Sequence, residues 1–78
     1  MIRLNIYRTD MQFKITGDYI ELYKLIKAAD LVDSGAEAKQ LIEQNYVSRG
    51  DEIETRKRAK IKIGEVIKIG DVSIEVVS

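Results

Sequence analysis

Seventy-eight residues carry 13 Lys+Arg against 13 Asp+Glu and contain neither His nor Cys. That composition excludes disulfides, thiol nucleophiles, imidazole acid–base chemistry and the usual zinc ligands. A chain this short makes one small domain that buries roughly 60% of its unfolded surface, which leaves little material for a deep catalytic cavity.

Ile2, Leu4 and Ile6 alternate with Arg3, Asn5 and Tyr7, and Met11, Phe13 and Ile15 alternate with Gln12 and Lys14. Both runs have the period of two expected of half-buried strands, and Arg8-Thr9-Asp10 between them is suited to a hairpin turn. Residues 1–15 are therefore expected to form an N-terminal strand pair. After Gly17 the period changes: Leu22, Leu25, Ile26 and Ala29 make one stripe of a helix. Asp18 with Glu21 three residues on has the form of a capping box, which sets the expected helix start. Lys24 and Lys27 lie three apart, off the apolar stripe.

A second helix is announced by Ser34-Gly35-Ala36-Glu37, an S-x-x-E start, with Ala38, Leu41 and Ile42 as its buried face and Asn45 as a left-handed stop. Only Asp30 to Asp33 separate the two helices. From Tyr46 the pattern returns to strands. Tyr46–Arg49 and Glu52–Thr55 flank Gly50-Asp51, where Gly at the first turn position suits a type II′ hairpin.

Thr55 to Lys62 then hold five cations, Arg56, Lys57, Arg58, Lys60 and Lys62, and no carboxylate. In a chain of zero net charge this is a local asymmetry, the electrostatic footprint of a polyanion site. The apolar alternation lapses here, so the segment is expected to be a solvated loop. Val66–Ile69, Gly70-Asp71 and the alternating Val72, Ile74 and Val76 close the chain. Strands, two helices and a strand-rich C-terminal half give an α+β fold.

No Gly-rich phosphate loop is present; Gly64 and Gly70 stand alone near turns. The acid pairs Glu52/Glu54 and Asp30/Asp33 fall in segments that read as exposed strand or loop, without the cleft that catalytic carboxylates need. No enzymatic activity, cofactor or metal is expected. The chain shows no charged-then-apolar signal segment, no apolar run near the roughly 20 residues of a membrane span, and no internal repeat. A cytoplasmic monomer away from membranes is expected. Tyr19, Tyr23 and Tyr46 have two readings, half-buried core edges with wet hydroxyls or platforms for unpaired bases.

Leu22 through Val47, with Lys27-Ala28-Ala29, the run Ser34 to Ile42 and Val47, resembles the RNA-binding domain family named after small-subunit ribosomal protein S4. Ile53 to Ile61, followed by Gly64-Glu65-Val66, is especially similar to the small stand-alone bacterial members of YbcJ- and YaaA-like type. The likeness spans about residues 15 to 75. It implies two helices packed on a small, bent, mainly antiparallel sheet, the α-L motif, and binding to structured RNA of the ribosomal or transfer RNA class, with association with the ribosome. By position it implies RNA contacts from Lys27, Ser34, Lys39, Arg56, Lys57, Arg58 and Lys60.

The chain departs from the family pattern at Arg49-Gly50-Asp51, where Arg49 replaces a commonly apolar strand residue. There the strand either ends early or presents a further cation. Ser48 stands where Lys or Arg is common, and residues 1–15 have no counterpart. The rival expectation is a protein-interaction module that uses the edge of the N-terminal hairpin and the basic loop.

Overall fold

Thr9–Lys14 form the first strand, β1, of a computed structural model that describes residues 9–78. Met11 and Phe13 turn towards the core, and Asp10, Gln12 and Lys14 face water, as the alternation requires. The expected strand over Ile2, Leu4 and Ile6 lies outside the described residues. Thr9 and Asp10, however, belong to β1 rather than to a turn, and β1 pairs in parallel with the last strand, β7 (Val72–Val77). Met11 opposite Ile74 and Phe13 opposite Val76 put apolar partners on one face, so burial selects this register.

The larger sheet has the order β1-β7-β6-β3-β4, with β3 at Val47–Arg49, β4 at Glu52–Ile53 and β6 at Val66–Ile69. All its neighbours but β1 and β7 are antiparallel. Gly50-Asp51 and Gly70-Asp71 make the two-residue loops, with φ of +62° and +57° at the glycines. A positive φ at the first loop residue and not at the second is the type II′ pattern, which matches the twist of the flanking strands. Ile67, Ile69, Val72, Ile74 and Val76 form the inner face of the sheet.

The helices α1 (Leu22–Ala28) and α2 (Gly35–Glu43) cover that face through Leu22, Leu25, Ile26, Ala38 and Ile42. Leu31 and Val32, in the short connection, are buried with them. The expected apolar stripes are present, although Ala29, at the C-cap of α1, and Leu41 are only partly buried. Asn45 takes φ +65°, the expected left-handed stop.

The start of α1 differs from expectation. Tyr19–Glu21 form a strand, β2, which pairs with β5 (Lys60–Lys62) in a separate two-stranded ribbon. Asp18 therefore caps nothing, and Glu21 at the N-cap makes no side-chain cap. Instead the first free amides of the helix are satisfied from a distance: Leu22 N–H donates to the Ala59 carbonyl (2.9 Å) and Tyr23 N–H to that of Lys57 (3.0 Å). A tertiary cap has displaced the local one.

At α2 the local signal prevails. Ser34 Oγ accepts from the Glu37 amide at 3.2 Å, and Glu37 Oε1 reaches back to the Asp33 amide at 3.2 Å, one residue further than a standard capping box. Ser34→Ala should cost about 1 kcal/mol in a denaturant titration. An unchanged midpoint would show that the hydroxyl is not needed to start this helix.

Candidate nucleic-acid interface

The basic segment is not a free loop throughout. Ala59 and Ile61 are buried, Lys60 to Lys62 are strand β5, and the two carbonyls that cap α1 anchor residues 57 and 59 to the helix pair. Alternation along β5 sends Ile61 inward and both flanking lysines outward. The sequence pattern missed this strand because only one of its three side chains is apolar.

Arg49, Arg56, Arg58, Lys60 and Lys62 line an open groove with Ala59 as its one uncharged residue. The five cations come from the end of β3, the loop after β4, and β5. Their charges are compensated to different degrees.

Arg49 is a brace. Its Nε and Nη2 fork onto Glu65 at 2.6 and 2.8 Å, Nη2 also donates to the Lys60 carbonyl at 3.0 Å, and Nη1 reaches Glu54 at 3.4 Å. Such a fork fixes a guanidinium in place. Strand β3 thus runs through Arg49, but the extra cation is spent inside the molecule. Glu65 also accepts from the Lys62 amide at 2.7 Å, and Arg49 chiefly holds its carboxyl below the ordinary range.

Glu54, expected to be exposed, is 8% accessible. It accepts from Arg56 Nε and Nη2, both at 3.0 Å, and from the Arg56 amide at 3.2 Å. Those bonds hold its pKa at about 2 against an ordinary 4.5, although burial pushes the other way. Arg56 is therefore half-neutralised, with Nη1 taking no part in these bonds.

Lys60 and Lys62 make no ion pair among the described residues, and Arg58 meets only Glu21, at 4.0 Å. The open charge of the groove thus lies on Arg58, Lys60 and Lys62. Glu21 pairs with Lys24 at 3.0 Å, and Lys24 above all lowers its pKa. Lys39 reaches across from α2 and stands 4.7 Å over the Tyr23 ring, with Lys24 at 5.9 Å from the same ring. Glu21 lies between Lys24 at 3.0 Å and Arg58 at 4.0 Å, and Lys39 shares the Tyr23 ring with Lys24, so both helix lysines stand beside the groove.

Of the residues singled out from sequence, Arg56, Arg58 and Lys60 line the groove and Lys39 adjoins it. Lys57 is turned to Glu43 at the end of α2, at 2.8 Å. Ser34 is occupied as a cap, and Lys27 is exposed in the last turn of α1, without an ion pair among the described residues. Arg49 and Lys62 also line the groove, although the family likeness implies an RNA contact from neither; Lys62 belongs to the basic run and Arg49 is the departure from the family pattern. Lys62 is the outward partner of Lys60 on β5, and a strand there would have marked it. The two carboxylates that sort the arginines left no sequence signal beyond proximity.

An α+β domain whose strand ends gather cations around one groove has the charge distribution of a small anion-binding module. The chain belongs to the S4 domain family, which matches residues 13–77. It is 37% identical over 60 residues, 77% of its own length and 86% of the relative's, to YbcJ of Escherichia coli (strain K12), which is named as a candidate RNA-binding protein. The same identity and coverage relate it to a YbcJ of Shigella flexneri. The solution structure of E. coli YbcJ, described as an αL motif involved in RNA binding, superposes with a TM-score of 0.65 at 31% identity, over 100% of this chain and 98% of that one. The two helices on a mixed sheet are that motif.

Proposed function

We propose that this protein binds structured RNA and performs no chemistry on it. The observation that carries the proposal is the groove lined by five cations and one alanine in a chain of zero net charge. Without bulk positive charge there is no indiscriminate attraction, so phosphate affinity has to come from a patch. The names of its relatives point to the same ligand.

The cations stand on pinned elements: β5 is paired with β2, the preceding loop is bonded to α1, and Arg49 and Arg56 are held by carboxylates. Cations fixed in this way suit phosphates whose spacing is also fixed, as on folded RNA, and supply contacts to shape rather than to sequence. Within structured RNA the proposed targets are ribosomal or transfer RNA, met in the bacterial cytoplasm on or near the ribosome. No helix among the described residues is long and apolar enough to cross a membrane.

Titration of labelled ribosomal RNA fragments and of transfer RNA across a salt series tests this. With Arg58, Lys60, Lys62 and Lys39 on phosphates, log affinity should fall against log salt with a slope on the order of −3 to −4. Binding that is insensitive to salt, or absent at low salt, would remove RNA as the ligand and favour a protein partner.

A further inference from the structure

The β2–β5 ribbon sorts its side chains by face. Ile20 opposite Ile61 points inward, so Tyr19 opposite Lys62 and Glu21 opposite Lys60 share the outward face. Tyr19 therefore stands in a row with two lysines that line the groove. Lys60 Nζ lies 5.1 Å from the centroid of its ring, a cation–π contact, and the residue is 45% exposed.

The other described tyrosines are placed differently. Lys39 and Lys24 both cover the Tyr23 ring, which also sits beside Gly35 at the start of α2. Tyr46 is exposed but meets no cation among the described residues. Tyr19 alone of these three combines an accessible ring with a groove cation.

We propose that Tyr19 is a stacking position for one unpaired base of an RNA whose phosphates lie in the groove. The proposal rests on the RNA-binding function above and narrows its ligand to RNA with an unstacked nucleotide, such as a bulge or loop, next to a helix. A phosphate drawn to Lys60 brings its own base towards the ring that Lys60 already touches. Stacking on that ring is tolerant of base identity, so the site reads an unpaired base rather than a sequence.

The test uses the full chain with two probes: an RNA duplex of about two helical turns, and the same duplex carrying a single bulged 2-aminopurine nucleotide. The bulged RNA should bind more tightly, with quenching of the 2-aminopurine. Tyr19→Leu, which keeps apolar bulk without a π face, should lose roughly 5- to 150-fold on the bulged RNA together with the quenching. Its affinity for the intact duplex and its salt slope should stay unchanged, which also verifies folding. Tyr19→Phe should retain the preference.

If Tyr19→Leu discriminates between the probes as the parent does, or if Tyr19→Phe loses as much as Tyr19→Leu, the stacking position is overturned while RNA binding stands. If the parent protein binds neither RNA at low salt, RNA binding itself fails and the stacking position falls with it.

Discussion

Replacing Arg58, Lys60 and Lys62 together by Gln should weaken RNA binding at least about 100-fold and flatten the salt slope towards −1. Each of these cations is exposed, Lys60 and Lys62 make no ion pair among the described residues, and Arg58 makes only a long one to Glu21 at 4.0 Å, so little folding energy depends on their charge. The backbone bonds that tie this segment to α1 come from the carbonyls of Lys57 and Ala59, which the substitutions leave in place. Thermal stability should therefore stay within a degree or two of the parent. Retained affinity with an unchanged slope would move the site to Lys24, Lys27 and Lys39. Arg56 is left out of the triple variant because its removal would strip buried Glu54 of its two 3.0 Å side-chain bonds and leave it only the 3.4 Å contact to Arg49 and the backbone amide of residue 56. Among single variants, Arg58→Lys should recover only part of the loss of Arg58→Ala, since an ammonium cannot reproduce a fork on phosphate.

Among the charged residues of this region, Arg49→Ala should be the most destabilising single change, by about 2–3 kcal/mol in a denaturant titration. It strips Glu65 of both forked bonds and leaves Glu54 with Arg56 alone. Arg49→Lys should recover part of the loss. The same network predicts a pH dependence. Glu54 has a folded pKa of about 2 against 4.5 ordinarily, so its contribution is fully present above about pH 4.5 and disappears as pH falls towards 2. Over that window the parent should lose on the order of 2–3 kcal/mol through Glu54, and the lowered Glu65 adds loss in the same direction. Glu54→Gln should be less stable at neutral pH and show a shallower acid transition. An acid transition identical to the parent's would falsify the role given to Glu54.

Much of the scaffold was legible in the residue order. The stripe Leu22, Leu25, Ile26, the Ser34 cap, the left-handed Asn45 and the two Gly-Asp hairpins are local features, decided by side chains within a few residues of one another. The concentration of positive charge between Arg56 and Lys62 needed no structure to be seen. It marked the region of the candidate site, and the family likeness named its ligand class.

Only the tertiary structure decided which of those charges are open. Arg49 and Arg56 are occupied because Glu65 and Glu54 are brought to them by strand pairing and by the loop after β4, and sequence patterns carry no information on such partners. The parallel register of β1 on β7 depends on burial across 63 residues of chain, since Gln12 and Glu75 face each other in the pair. Asp18 and Glu21 form a plausible local cap that never assembles, because β5 takes the backbone of β2 and the loop carbonyls take the amides of α1. Local patterns prevail where the groups that satisfy a backbone lie within a turn of it. Where a distant segment offers the same hydrogen bonds and buries apolar area as well, the distant segment wins.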